Sequence, residues 1–351
     1  MSPMPLSPGD PAPWFRATTP SNPEFTFDSV AGRYILLAFL SREPEPRHVA
    51  LTALARRRAC FDDARLSAFA IVRDPQTAQG AQDMTGLRWV LDLDGAVSRQ
   101  FAQDGEPPAW LVLDPTLRVL RAAALDETDA MFGYLAALPP PAEHAGAPTP
   151  APVLIVPRIF EPELCQRLIA LHDQGASRFT GVMRDRGDRT HYVMDELKSR
   201  RDVLVADPGL QAEIRDRLEG RLFPQVERAF AARLTHIERY LVSCYAQEDG
   251  GVFHAHRDNT TFGTAHRRFA ASINLNDDFE GGDLRFAEFG SATYRPPVGG
   301  ACAFSCGLLH EATRVRAGRR YAFLPFFYDA EGAEGLAAYR ARTGEQPPEA
   351  G

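Results

Sequence analysis

The stretch "LPPPAEHAGAPTPAPVLIVP" at 138–157 limits the architecture of this chain more than any other. It is dense in Pro and Ala and has no apolar periodicity, so it reads as a semi-rigid linker rather than as a helix or strand. A chain of 351 residues is longer than one hydrophobic core usually spans. The linker predicts where it divides. The expected domains are 1–138 and 153–335, joined by a linker over 139–152 and followed by a polar tail over 336–351. The end of that tail, "RARTGEQPPEAG", is expected to be disordered.

Composition excludes several classes. Hydrophobic residues make up 44% and charged residues 24%, values at which both halves can bury ordinary cores. A net charge of −7 gives no basic surface for nucleic acid. No apolar run reaches membrane length, and the opening "MSPMPLSPGDPAPWF" lacks the basic and apolar regions of a signal peptide. The 5 cysteines (Cys60, Cys165, Cys244, Cys302 and Cys306) are odd in number and form no CxxC pair. That argues against a disulfide framework or a structural zinc and predicts a reducing, cytoplasmic home. Lys198 is the only lysine among the basic residues, which reads as coding bias without mechanistic weight.

The first half alternates strand and helix. "RYILLAFL" (33–40) and "LSAFAIV" (66–72) are unbroken apolar runs, as strands buried on both faces require. A helix is expected over 46–59 between them, a hairpin over 108–124, and a closing helix at "ETDAMFGYLAAL". This order predicts an α/β domain around a mixed sheet. With "SPGDPAPWFRATT", "LDLDGAVSRQF" and "PPAWLVLDPTLRVL", most of residues 7–138 resembles the peroxiredoxin branch of the thioredoxin fold. The resemblance implies a cis-proline before a strand, here Pro108, and a reactive cysteine at the first turn of the helix after the first long strand. In "FLSREPEPRHVAL" the matching position falls near His48. The one thiol of this half, Cys60, lies at the opposite end of the helix, where the helix dipole opposes a thiolate. The domain is therefore expected to be non-catalytic, serving structural support or protein contact.

The second half opens with helices. "EPELCQRLIALHDQ" (161–174) places Leu164, Leu168 and Leu171 on one face. The segment 210–230 carries Leu210, Ile214, Leu218, Leu222, Val226 and Phe230 four apart, with Pro224 expected to kink or split it. Residues 177–202 are polar and aperiodic and read as a long loop. From Ile237 onward short strands alternate with Gly, Asp and Asn turns, the pattern of a jelly roll, or double-stranded β-helix, with flanking helices.

Chemistry concentrates in "VFHAHRDNTT" (252–261). His254, His256 and Asp258 share a face if the segment is a plain strand. His310 lies near the end of the strand "GACAFSC", which a jelly roll folds back beside them. Two imidazoles and one carboxylate on one side of a metal leave the other side open, the facial arrangement of non-haem Fe(II) sites. Arg320 follows on the next strand, on a face with Ala322 and Leu324, where a guanidinium is costly unless it meets an anion.

"HRD" at 256–258, "LNDDFEGGDLRF" at 275–286 and "LLHEATRVRAGRRYAF" at 308–323 resemble the 2-oxoglutarate/Fe(II) dioxygenases in their prolyl 4-hydroxylase-like branch, over about 153–330. The resemblance implies Fe(II) on His256, Asp258 and His310. It implies 2-oxoglutarate with its far carboxylate on Arg320 and a hydrogen bond from Tyr245. Asn274 falls near a second cosubstrate contact, where related enzymes often carry tyrosine. Ascorbate is implied as a reductant. The reaction implied is hydroxylation of an unactivated C–H in a small-molecule, peptide or protein substrate, with release of succinate and CO2. His254 and Asn259 are candidate substrate contacts. A His254/His256 pair would instead make a cupin-like HxH site, but Asp258 and the Arg320 spacing favour HxD. His266 reads as a loop or surface histidine, Arg267 and Arg268 as solvated or carboxylate-paired, and Cys302 and Cys306 as inert core thiols. Two rival functions remain: a redox-interaction or thiol peroxidase-like protein, which needs a reactive thiol, and a non-catalytic sensor of 2-oxoglutarate or metal.

Overall fold

The computed structural model describes residues 6–102 and 106–344. Contacts divide the chain into two compact units, 1–151 with 287–291 and 152–286 with 292–351.

The first unit is built on a five-stranded mixed sheet. Strand Tyr34–Phe39 pairs in parallel with Leu66–Val72, which pairs in parallel with Leu87–Leu91. On its other side Tyr34–Phe39 meets Trp110–Leu113 antiparallel, and a hairpin adds Val119–Ala123. Every residue of Tyr34–Phe39 and Leu66–Val72 is buried, as their unbroken apolar runs require. Helix Pro44–Arg56 begins with Pro44 in its first turn, where the missing N–H costs nothing. Helix Thr128–Ala137 buries Met131, Phe132 and Leu135. The described residues contain no cis peptide bond, so Pro108 is trans, contrary to expectation. It leads directly into the strand that begins at Trp110, an extended approach that the ordinary trans bond serves.

The second unit is a jelly roll. A ten-stranded sheet includes Leu241–Ala246, Val315–Phe323, Phe269–Asn274 and Phe326–Tyr328. A five-stranded sheet is ordered Lys198–Ser199, Val252–His256, His310–Ala312, Leu284–Arg285 and Thr293–Tyr294. Alternation along the large sheet sorts its side chains. Val242, Cys244, Ala271, Ile273, Tyr321 and Phe323 turn outward into a core with Leu164, Leu168, Ile214, Leu218, Leu222 and Val226 of the helices. Ser272, Tyr245, Arg320 and Leu324 turn inward and line a cavity.

The long apolar stripe is held by an irregularity. Residues four apart on an α-helix drift by about 40° per step, so six such positions would wind off the core. Leu218–Leu222 forms a π-helical turn between the α-helices Pro208–Arg217 and Phe223–Phe230. That wider turn reverses the drift and accommodates Pro224, whose ring cannot sit in an unbroken helix.

Two expectations are corrected. The long loop predicted over 177–202 contains a hairpin, Val182–Arg186 against Arg189–Val193. Gly187 has φ of 63° and takes the first of two turn positions, as a tight hairpin requires. The strands were hard to read because they are largely exposed, and Thr190 is the one buried residue of Arg189–Val193. The polar tail predicted over 336–351 is helical as far as Thr343, in the helix Ala330–Thr343. Asp329 caps it by accepting the Gly332 N–H at 2.7 Å. Tyr339 anchors it, its hydroxyl accepting the Thr190 N–H at 2.9 Å. Residues 345–351 lie outside the described residues.

Candidate active site

Strand pairing brings the first two site residues together. His256 and His310 are direct antiparallel partners in the small sheet, with ring centroids 4.3 Å apart. His310 thus belongs to a short strand of its own, His310–Ala312, after the turn that follows Ala301–Ser305. A register shift lies between Phe253 and His256. Its effect is visible in the rings: Phe253 stacks on His256 at 3.5 Å although the two are three residues apart. A plain strand would turn them to opposite faces. The slipped parity sends His254 outward, where it is exposed, so His254 does not join the shared face expected for it. Asp258 follows the strand and is held by its N–H donating to the Cys306 carbonyl at 3.0 Å.

Asp258 bridges the imidazoles. Its Oδ1 is 3.5 Å from His256 Nε2 and its Oδ2 is 3.4 Å from His310 Nε2. One ligand atom from each residue lies within 4.8 Å of the others. The proton positions follow from the remaining contacts. His256 Nδ1 is 2.8 Å from the His254 carbonyl, and His310 Nδ1 is 3.0 Å from the Leu308 carbonyl. A carbonyl only accepts, so each Nδ1 carries a hydrogen, and each Nε2 faces Asp258 as the atom available to a metal. Burial, then the neighbouring His256, pushes His310 down to about 4, so its imidazole is neutral at pH 7. Burial opposes ionisation of Asp258, but the facing His310 and His256 hold it well below the usual carboxylate range. Two imidazoles and a carboxylate are the donors that a divalent iron takes.

A cavity opens beside this triad. Arg320, 2% exposed, sits opposite Tyr245 in register. Its Nη2 donates to Ser272 Oγ at 2.6 Å and to Asn274 Oδ1 at 3.0 Å, and its Nε donates to Asn274 Oδ1 at 3.2 Å. Asn274 Nδ2 in turn donates to the Pro296 carbonyl at 3.0 Å. Asn274 therefore grips the guanidinium and is not part of the cavity lining. These partners are neutral, and among the described residues no carboxylate lies within ion-pairing distance of Arg320, which leaves its charge for a ligand. Tyr245 lines the cavity, with its hydroxyl accepting from Arg200 Nη1 at 3.1 Å.

Other residues of the sequence reading fall elsewhere. Asn259 is absent from the lining; its Nδ2 lies 3.5 Å from the Arg267 carbonyl. His266 is buried rather than superficial, with Nε2 3.1 Å from Glu238 Oε2. The same carboxylate accepts from Arg267 Nε at 2.6 Å. Arg268 pairs with Asp329. Cys302 and Cys306 are buried, and burial pushes the Cys302 thiol up to about 12. In the first unit Cys60 is exposed, in a short 3-10 turn after the helix, and His48 lies inside that helix.

Sequence reasoning missed the other cations. Arg200 and Arg239 both line the cavity. Arg200 ion-pairs with Asp202, its Nη2 donating to Oδ2 at 2.9 Å and its Nε lying 2.8 Å from Oδ1. Asp202 also accepts from Ser243 Oγ at 2.6 Å. Burial opposes its ionisation, yet Arg200 and Lys198 bring it down to about 2. Lys198 Nζ is 3.9 Å from Asp202 with the side chain only 4% exposed. Burial, then Arg200, pushes Lys198 down to about 6 despite that carboxylate. The one lysine of the chain is thus a buried neighbour of the site. Its rarity was the available signal, set aside as coding bias.

Residues 240–328 match the sequence profile of the 2OG-Fe(II) oxygenase superfamily. The second unit contains a 2OG-Fe(II) oxygenase domain. It makes the protein a 2-oxoglutarate-dependent dioxygenase, with Fe(II) and 2-oxoglutarate as cofactors, and the His256, Asp258 and His310 cluster fits the iron. Several solved structures are similar to the oxygenase. A Trichoplax adhaerens prolyl hydroxylase, in complex with a hypoxia inducible factor oxygen degradation domain peptide fragment, is 15% identical, with a TM-score of 0.43, over 56% of this chain and 90% of that one. An oxidoreductase of the 2OG-Fe(II) oxygenase family from Burkholderia pseudomallei is 18% identical, with a TM-score of 0.37, over 50% and 84%. A Pseudomonas putida prolyl-4-hydroxylase is 16% identical, with a TM-score of 0.38, over 51% and 92%. No curated protein matches the sequence at a significant level. The assignment rests on the matched superfamily and on the triad.

Proposed function

We propose that the oxygenase hydroxylates an unactivated C–H of a peptidyl or small-molecule substrate, with iron on His256, Asp258 and His310 and the far carboxylate of 2-oxoglutarate on Arg320. The observation that carries this reading is the triad, with both Nδ1 atoms engaged by backbone carbonyls and both Nε2 atoms facing Asp258. When bound, Fe(II) with 2-oxoglutarate and O2 supplies the two-electron oxidation, and succinate and CO2 leave as coproducts.

The rest is the work of this chain. Backbone carbonyls of His254 and Leu308 hold the two Nδ1 protons and so fix both ring orientations. Ser272 and Asn274 fix the Arg320 fork, which leaves Asn274 as a positioning residue. The Tyr245 hydroxyl accepts from Arg200, so its own proton is free to point at a carboxylate oxygen. Ala270, Ala312, Leu324 and Phe304 give the cavity apolar walls that keep water from the reacting carbon. His254 is exposed and Asn259 lies off the cavity, so a contact of either with substrate belongs outside the pocket, at its approach.

In the same proposal the first unit is a thioredoxin-like domain without a catalytic thiol, serving support or protein contact. Its parallel core strands with an added hairpin support that reading. The five free cysteines suit a reducing, cytoplasmic compartment; no helix of the described residues is long and apolar enough to cross a membrane. Ascorbate is the reductant that would keep the iron ferrous. The test is succinate release from 2-oxoglutarate by the full chain with Fe(II), ascorbate and a library of peptides and small metabolites. We expect substrate-dependent succinate that a ferrous chelator abolishes. Product with a mass increase of one oxygen supports hydroxylation, whereas 2-oxoglutarate binding without any turnover across the library points to a sensor.

A further inference from the structure

The cavity carries more positive charge than one cosubstrate uses. Arg320 occupies one end, opposite Tyr245. Arg239 also lines the cavity, from the segment between the strands His236–Ile237 and Leu241–Ala246. Its Nε donates to the Leu324 carbonyl at 3.2 Å, and its guanidinium lies 4.2 Å over the Phe326 ring. The same ring carries Arg267 at 3.9 Å. The neighbouring cations are compensated: Arg267 by Glu238, Arg200 by Asp202. Among the described residues no carboxylate lies within ion-pairing distance of Arg239. A half-buried guanidinium without an anion is costly, and a planar fork stacked on an aromatic ring is a standing carboxylate receptor.

We infer that the molecule oxidised here carries a carboxylate, and that Arg239 binds it. The inference rests on the proposed function, in which 2-oxoglutarate spans the iron and Arg320. A five-carbon diacid fixed at those two points leaves Arg239, which also lines the cavity, for a second ligand. Arg239 then sets specificity: it holds the acid end of the substrate against the Phe326 wall and so fixes which carbon faces the triad.

The test keeps the full chain anaerobic with Fe(II) and 2-oxoglutarate, so that nothing turns over. Calorimetry then compares acids with their amides: benzoate with benzamide, phenylacetate with phenylacetamide, N-acetylglycine with its amide. At least one acid is expected to bind about tenfold or more tightly than its amide. Arg239→Gln should remove that preference while the 2-oxoglutarate titration midpoint, read from the visible charge-transfer band, stays within about twofold. Arg239→Lys should retain part of the preference. The inference is overturned if no acid outbinds its amide on the wild-type protein, or if the preference survives in Arg239→Gln. It is also overturned if that variant weakens 2-oxoglutarate, which would make Arg239 a cosubstrate residue. Absence of the charge-transfer band in the wild-type protein is a different failure, that of the proposed function.

Discussion

Two buried strands, one from each unit, separate the roles of the two halves. Leu66–Val72 and Leu241–Ala246 are both buried along their whole length. The first reads LSAFAIV, with apolar residues on both faces, and it feeds only core. The second reads LVSCYA, with Ser243 and Tyr245 alternating against Val242 and Cys244. Val242 and Cys244 pack on helices, whereas Tyr245 lines the cavity and Ser243 donates to Asp202. A buried face with polar side chains at every second position is therefore a site, and a buried face without them is a scaffold. Burial alone does not separate the two.

That contrast can be broken by experiment. The largest effect on cosubstrate binding should come from Arg320→Met, which removes a buried charge-assisted contact worth about 1.5–3 kcal/mol. We expect the KM for 2-oxoglutarate to rise by about a hundredfold, with Fe(II) affinity in its absence unchanged. An unaltered KM would place the cosubstrate elsewhere. Next, Asp202→Asn leaves Arg200 buried without its counter-ion, and loss of one partner of a buried pair costs about 3 kcal/mol or more. Thermal unfolding should show it. The pH dependence has a definite sign. Asp202 is lowered from 3.8 to about 2, so its contribution is complete above about pH 4 and is lost as pH falls toward 2. The Asn variant should show a shallower acid limb than the parent. The smallest effect belongs to the first unit. Cys60→Ser changes an exposed thiol and should shift stability by less than about 0.5 kcal/mol and leave succinate formation intact. Loss of activity there would return the thiol-based reading.

Much of this was legible in the sequence because it depends on local pattern. Apolar runs gave the strands of the first unit, and the order His256, Asp258, His310, Arg320 named the triad and the distal cation. What escaped depends on geometry that pattern does not carry. His254 was grouped with His256 because a two-residue period assumes no bulge, and the register shift after Phe253 breaks that period. Asn274 was placed on the cosubstrate because its strand position is right, yet its amide is used by Arg320. Arg200, Asp202 and Lys198 lie in a polar stretch that reads as loop, and only pairing with Leu241–Ala246 and Val252–His256 buries them beside the site. Arg239 sits between short strands, and only the fold sets its guanidinium against Phe326.

The most direct measurement is an anaerobic titration of the full chain with Fe(II) and 2-oxoglutarate, followed by visible absorption. The account predicts a charge-transfer band that saturates at one iron and one 2-oxoglutarate per chain, is absent in His256→Ala and Asp258→Ala, and persists in His254→Ala. A band that survives His256→Ala, or is lost in His254→Ala, would contradict the assignment of the iron to His256, Asp258 and His310.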